Sequence, residues 1–361
     1  LKWGEETVIT YENQPKTSLK ITKIDSETGD KLDGAIFKLK HTTSGKEHTT
    51  EATVNGIATI ENLVAGTYIL TEIQAPQGYI LNSEPITVVI ENDRVNAVTI
   101  KNSKKPGITV NKVDSQTKEP LSGAKFELWR AENNTVQGLI EKVGEYYTNE
   151  QGKITLDNID YGWYAIKEVV APQGYLLAKE NIKFVYLEPN QTGTKAVSVT
   201  FENDKKPSLK VIKRDIETKE PLSGAKFEIY RAENNTVQGL IEKVGEYYTN
   251  DKGEIFLDVT EYGWYCIKEV QAPNGYLLSE DNVKFVFLEP NQTGDNTKEI
   301  IFENAKKPNL VINKVGSIGK EPLQGAKFSL FYAGDNKNGA VTKIGDYVTD
   351  ENGQIIIPTG T

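Results

Sequence analysis

The chain has 361 residues, more than one ordinary domain holds and enough for about two to four. Hydrophobic residues at 37% and charged residues at 26% fit soluble folded domains, and no apolar run approaches the roughly 20 residues of a membrane span. With 42 basic against 51 acidic side chains the net charge is −9, which argues against nucleic acid or anionic lipid as a partner. The single cysteine excludes a disulfide framework and every multi-cysteine metal site.

The chain opens on VITYEN, ending at Asn13, which reads as the closing strand of a preceding repeat; there is no Met, so the chain reads as a segment of a longer protein. After Pro15 comes Leu19-x-Ile21-x-Lys23, an opening strand whose lysine shares the apolar face, because side chains two apart point the same way. SETGD follows as a turn; its acidic residues, Asp25 to Asp30, would attract calcium only loosely and lack EF-hand spacing. TGDKLDGAIFKLK begins at Thr28, and a Thr- and Gly-rich hairpin then carries His41 and His48, read as solvated turn residues rather than metal ligands. YILTEIQAPQGY at 68–79 puts Tyr68, Leu70 and Glu72 on one face, and the closing VTIKN puts Val98, Ile100 and Asn102 on another.

This order then returns. TKEPLSGAKFELWRAENNTVQGLIEKVGEYYTN at 117–149 recurs almost unchanged at 218–250, an offset of 101. The second copy carries Lys112 after Ile108 and Val110, Glu168 in YAIKEVVAPQGY, and Asn203 closing VTFEN; the third carries Lys213, Glu269 in YCIKEVQAPNGY, and Asn304 closing IIFEN. A fourth opens on Leu310-x-Ile312-x-Lys314 and continues as IGKEPLQGAKFSLFY. At every joint the closing asparagine stands ten residues before the next lysine (13 to 23, 102 to 112, 203 to 213, 304 to 314), with a proline between them (Pro15, Pro106, Pro207, Pro308) that stiffens a short linker.

The boundaries expected are therefore 1–15 for the last strand of a preceding repeat, 16–104, 105–205 and 206–306 for three complete repeats, and 307–361 for the first part of another. Short runs rich in Val, Ile, Thr, Tyr and Phe between turn clusters predict an all-β fold, an antiparallel sandwich per repeat, arranged head to tail as a rod. The stretch 131–145 and its copy at 232–246 are where a helical turn is admissible.

Each complete repeat thus points one lysine, one glutamate and one asparagine into its core, where such groups are costly unless paired or used. A buried Lys-Glu ion pair capped by Asn is the simplest account, but such a pair is often no better than a hydrophobic replacement. The same burial raises a carboxyl pKa and lowers an ammonium pKa, so the pair can exist as neutral acid and neutral amine. A neutral Lys Nζ can attack the Asn carbonyl while the protonated Glu polarises that carbonyl and carries the proton to departing ammonia, leaving an isopeptide cross-link formed once per repeat.

The opening Lys-x-Asp (Lys23-Ile24-Asp25, Lys112-Val113-Asp114, Lys213-Arg214-Asp215), the L-x-G-A-x-F segment, the E-x-x-A-P-x-G-Y box and the terminal Asn together resemble the collagen-adhesin B-type (Cna-B, SpaA-like) repeats of Gram-positive surface adhesins and pilins. The resemblance implies tandem prealbumin-like, inverse-immunoglobulin β-sandwiches with Lys-Asn bonds assisted by Glu. Carried over by position, the cross-link pairs are Lys23 and Asn102, Lys112 and Asn203, and Lys213 and Asn304, with Glu72, Glu168 and Glu269 as catalytic residues. Asn13 and Lys314 are left without a partner, and Gly316 departs from Lys-x-Asp.

The function expected is a reinforced stalk of an adhesin at the cell-wall surface of a Gram-positive bacterium, needing no cofactor or metal. Its partners are adjacent repeats of the same chain and, through a distal domain, a host matrix protein. A ligand-binding role for the repeats, through Tyr146, Tyr147, Tyr247 and Tyr248, and a sortase-assembled pilin shaft are the alternatives; the closing IPTGT lacks the spacing of a sortase signal. Turnover catalysis is disfavoured: both histidines lie in the first repeat, and Cys266, of opposite parity to Glu269, reads as a small filler.

Overall fold

The computed structural model describes residues 16–258, 261–332 and 341–357. Asn13 with the rest of 1–15, and the IPTGT tail beyond Ile357, lie outside the described residues. The chain divides into two compact units, Leu1–Asn203 and Asp204–Thr361.

In the first unit, β1 (Ser18–Asp25), β2 (Ile36–His41), β3 (Glu47–Thr49), β4 (Ile57–Glu61), β5 (Gly66–Gln74), β6 (Ile86–Ile90) and β7 (Val95–Asn102) form two sheets, β4-β1-β7 and β3-β2-β5-β6. Their counterparts β8 (Ile108–Asp114), β9 (Lys125–Ala131), β10 (Leu139–Tyr147), β11 (Lys153–Leu156), β12 (Gly162–Val170), β13 (Ile182–Leu187) and β14 (Val197–Asn203) form β11-β8-β14 and β10-β9-β12-β13. The second unit repeats the plan with β15 (Ser208–Asp215), β16 (Lys226–Ala232), β17 (Leu240–Tyr248), β18 (Glu254–Asp258), β19 (Gly263–Gln271), β20 (Val283–Leu288) and β21 (Lys298–Asn304). It ends in two pairs, β22 (Leu310–Asn313) with β25 (Gln354–Ile357) and β23 (Lys327–Tyr332) with β24 (Thr342–Val348).

In the three complete repeats alternation sends one face of the main strands into a core between the two sheets. In the first repeat Leu19, Ile21, Phe37, Leu39, Tyr68, Leu70 and Ile100 meet there, all buried. Phe126 and Phe201 pack edge to face in the second, with ring centres 4.9 Å apart, as do Phe227 and Phe302 in the third at 5.0 Å.

The sandwich is mixed rather than wholly antiparallel as the sequence suggested. The first and last strands of each complete repeat pair in parallel, Asp25 opposite Asn102, Asp114 opposite Asn203 and Asp215 opposite Asn304. Residue alternation fixes which face a side chain takes but carries no strand direction. A parallel pair needs a long crossover, and the intervening strands supply it. The expected helical turn shrinks to one 3₁₀ turn, Val136–Gly138, with its copy at Val237–Gly239. Asn133 Oδ1 takes the Thr135 N–H (3.0 Å) and hydroxyl (2.6 Å), local bonds that compete with a helix.

The L-x-G-A segment has a structural reason. A buried threonine clamps it: Thr148 Oγ1 donates to Leu121 O (2.8 Å) and accepts the Ala124 N–H (3.0 Å), and Thr53, Thr249 and Thr349 do the same in the other copies. In the first unit the proline joint is also held by hydrogen bonds. Gly107 N–H donates to Gln191 O (2.7 Å), Ile159 N–H to Pro106 O (3.0 Å) and Lys104 N–H to Asn190 Oδ1 (2.7 Å).

Candidate cross-linking site

The backbone of each opening lysine is gripped from both sides. Lys112 N–H donates to Gly152 O (2.7 Å), and Lys112 O accepts the Leu121 N–H (2.9 Å). Lys23, Lys213 and Lys314 are held in the same way by Gly56 and Leu32, Gly253 and Leu222, and Gly353 and Leu323. Gly152 turns at φ +66°, and a Cβ there would lie 2.5 Å from Lys112 O, so the hairpin after β10 approaches this closely only with glycine.

From this anchored backbone the lysine reaches into the core. In the first repeat Lys23, Glu72 and Asn102 are buried and mutually in contact. Lys23 Nζ donates to Asn102 Oδ1 and lies 3.0 Å from Glu72 Oε1, while Asn102 Nδ2 donates to both Glu72 oxygens at 3.0 and 2.9 Å. In the third, Lys213 Nζ lies 3.4 Å from Glu269 Oε2, and Asn304 Nδ2 donates to Glu269 Oε1 at 2.7 Å. In the second, Asn203 Nδ2 donates to Glu168 Oε1 at 2.8 Å, and Lys112 Nζ to Val113 O and Phe201 O at 3.3 Å each. All nine side chains expected inside are inside, and each Glu sits against its Asn.

One detail differs from the sequence reading. The carboxyl lies against the Asn amide nitrogen rather than its carbonyl oxygen; the buried Oδ1 atoms of Asn203 and Asn304 accept no hydrogen bond. In the first repeat one carboxyl therefore bridges the Lys23 amine and the Asn102 amide nitrogen. Burial pushes the Lys23 and Lys213 ammoniums below their ordinary range, although the neighbouring Glu72 and Glu269 act the other way. Burial likewise pushes the Glu168 and Glu269 carboxyls up, against the pull of Lys112 and Lys213 and of the Asn amides. In the third repeat, where both partners are shifted, burial thus favours neutral amine and neutral acid.

The remaining candidates separate. Lys314 has the clamped backbone but an exposed side chain. Cys266 is buried, and burial pushes its thiol up, away from the reactive thiolate. Neither histidine is the solvated turn residue expected: His41 is half-buried at the end of β2, its ring edge-on to Tyr68 at 4.7 Å, and His48 is half-buried within β3. Of the four tyrosines, Tyr147 and Tyr248 are exposed, whereas Tyr146 and Tyr247 pack against the cores. No group of three or more His, Cys, Asp or Glu among the described residues has a metal-binding arrangement.

Sequence reasoning marked the Asp of Lys-x-Asp and the Tyr of the E-x-x-A-P-x-G-Y box without seeing that they meet. Tyr79 hydroxyl donates to Asp25 Oδ2 at 2.9 Å, Tyr175 to Asp114 at 2.9 Å and Tyr276 to Asp215 at 3.0 Å. Their matching recurrence in three copies was the available signal.

A family model described as SpaA, prealbumin-like fold domain, matches residues 17–104, 106–205, 207–303 and 308–359. The chain belongs to this family. Its four SpaA copies stand in tandem, and the family is one of structural pilin and adhesin repeats. Over 198 residues the SpaA chain is 29% identical to a collagen adhesin of Staphylococcus aureus, a match covering 47% of this chain and 17% of that protein. Over 120 residues it is 32% identical to the trypsin-resistant surface T6 protein of Streptococcus pyogenes, covering 31% of this chain and 21% of that protein. The chain therefore spans about a fifth of the curated relatives it matches. Among solved structures, the Bacillus anthracis TIE protein is 28% identical, with 81% of this chain and 51% of that one covered and a TM-score of 0.32. Among the described residues no helix is long and apolar enough to cross a membrane.

Proposed function

We propose that this chain is a stalk segment of a Gram-positive surface adhesin, built of repeats at 16–104, 105–205 and 206–306 and the first part of another at 307–361, each complete repeat locked by one Lys-Asn isopeptide bond. The observation that carries the reading is the contact set of Lys23, Glu72 and Asn102: the lysine amine, the carboxyl and the asparagine side chain touch one another in a buried core. Neutral Lys Nζ attacks Asn Cγ, and the Nζ–Cγ bond forms as the Cγ–Nδ2 bond breaks. Glu receives the proton lost by Nζ and delivers one to Nδ2, which leaves as ammonia, so the acid is regenerated. Lys112 with Asn203 and Lys213 with Asn304 react likewise beside Glu168 and Glu269. The fold does this once and turns nothing over.

The stalk reading places the protein outside the cell at the wall surface, with neighbouring repeats as its immediate partners. Denaturing intact-mass measurement tests it: the chain should be lighter than its sequence by three ammonias, and peptide mapping should return the three linked pairs. A mass equal to the plain sequence would end the proposal. The exposed Tyr147 and Tyr248, at matching places in two copies, favour a second reading, contact with a host matrix protein. A solid-phase binding screen with Tyr147→Ala and Tyr248→Ala variants separates the two.

A further inference from the structure

We infer that each complete repeat carries a second set of residues, Asp25 with Tyr79, Asp114 with Tyr175 and Asp215 with Tyr276, that positions the reactive three; this rests on the cross-linking reading above. The two sets run in step along the chain. Each Asp follows its lysine by two residues (23 to 25, 112 to 114, 213 to 215), and each Tyr follows its Glu by seven (72 to 79, 168 to 175, 269 to 276). In the first and third repeats a lysine two residues past the reactive Asn, Lys104 or Lys306, also reaches the Asp carboxylate, at 3.4 and 3.8 Å. One Asp therefore gathers the chain downstream of all three reactive residues.

The Asp is built to hold, not to react. Asp25 is buried, and its Oδ1 accepts the Glu27 and Thr28 N–H groups at 2.7 and 3.0 Å while Oδ2 takes the Tyr79 hydroxyl. Asp114 and Asp215 repeat these contacts. The turn it shapes caps the strand bearing the reactive asparagine: Ser26 N–H donates to Asn102 O (2.9 Å), Ser115 to Asn203 O (3.0 Å) and Ile216 to Asn304 O (3.0 Å).

The Glu has the greatest need of such a tie. The pairing of β5, β12 and β19 with β2, β9 and β16 slips register immediately after Glu72, Glu168 and Glu269. A bulge re-aims a side chain and ends the ladder's hold on it. Beyond it the A-P-x-G-Y turn closes on itself, Tyr79 N–H donating to Pro76 O (3.1 Å), and the Tyr hydroxyl fastens that turn to the lysine strand. In the fourth copy Gly316 keeps the turn's backbone bond, donating to Glu321 O (2.9 Å), but supplies no carboxylate. Misplacing reacting groups by an ångström costs on the order of a hundredfold in rate, so the latch is a kinetic device.

The test follows newly made full-length chain in a cell-free translation pulse, quenched in denaturant at intervals, with linkage of each repeat read by peptide mass. Tyr175→Phe removes one hydroxyl and should slow linkage of the second repeat by about tenfold or more, while the first and third repeats proceed normally in the same molecule. Asp114→Asn should do the same or worse. Leu187→Val weakens the same core away from the latch and should leave the rate unchanged. Linkage of Tyr175→Phe at the wild-type rate, or equal slowing by Leu187→Val, overturns the positioning role while leaving the cross-link itself established. Absence of ammonia loss in the unsubstituted chain would instead refute the underlying reading.

Discussion

Lys112 stands opposite Phe201, and Asn203 opposite Asp114, on the parallel strands β8 and β14, so lysine and asparagine are diagonal neighbours near the ends of two strands that run the same way. Chain enters the repeat at the start of β8 and leaves at the end of β14. A pull on the two ends therefore shears this strand pair, and the proposed bond between Lys112 and Asn203 would carry the load before the strands could slide. Under stretching in a single-molecule force instrument the second repeat should show no unfolding step. Lys112→Ala should release the chain across the 91 positions from 112 to 203 (203 minus 112), a step of about 300 Å at roughly 3.4 Å per residue.

Asn203→Ala removes the acceptor and leaves Lys112 and Glu168 buried without it. By analogy with a disulfide closing a loop of this length, the lost constraint is about 4 to 5 kcal/mol, and melting of that repeat should fall by roughly 20 °C or more. Scanning calorimetry should show one transition moving while those of the other repeats hold.

Gly152→Ala tests the grip on the lysine backbone. The new methyl meets Lys112 O at 2.5 Å in a left-handed backbone conformation, and the cost should exceed the roughly 1 to 2 kcal/mol of that conformation alone. Gly123→Ala is the control: φ is +80° but nothing lies within 4 Å of the added atom, so only the conformational cost applies. Chemical denaturation of both variants in an Asn203→Ala background gives the difference.

Acid should find the latch before the core. Burial works to raise the Asp25 carboxyl, yet the Thr28 and Glu27 N–H groups, Tyr79 and Lys104 hold it at about 2, below its ordinary 3.8. Hydrogen bonds from the Thr218 and Glu217 N–H groups, helped by Tyr276, hold Asp215 at about 2 as well. The folded state binds these protons less readily than the unfolded one, so their contribution is complete above about pH 4 and drains away between 4 and 2. Tyr79 runs the other way: burial and Asp25 push its hydroxyl from 10.0 up to about 12. Its contribution holds below pH 10 and is lost as pH rises towards 12. Urea midpoints of an Asn102→Ala chain across these ranges check both limbs, and Asp25→Asn should flatten the acid one.

Much of the site was readable from alternation. Leu19, Ile21 and Lys23 share a parity, as do Tyr68, Leu70 and Glu72, and Val98, Ile100 and Asn102, so burial of all three polar groups followed from a period of two. Direction did not follow: nothing in Val98 to Asn102 tells that β7 lies parallel to β1, because period fixes the face and not the neighbour. The Asp25–Tyr79 bond spans 54 residues and leaves no local trace. His41 and His48 were misjudged because Thr- and Gly-rich surroundings say little about whether a ring near a hairpin is partly covered, as both are.

The pairing of the first strand with the last also sets a clock. While a repeat is still emerging end-first from a ribosome or a narrow export channel, β14 is not yet beside β8 and Asn203 is not yet within reach of Lys112. On the proposed cross-linking, the polymer would stay threadable until its final residues arrive, and the lock would then shut on its own, without an external catalyst, energy source or oxidant.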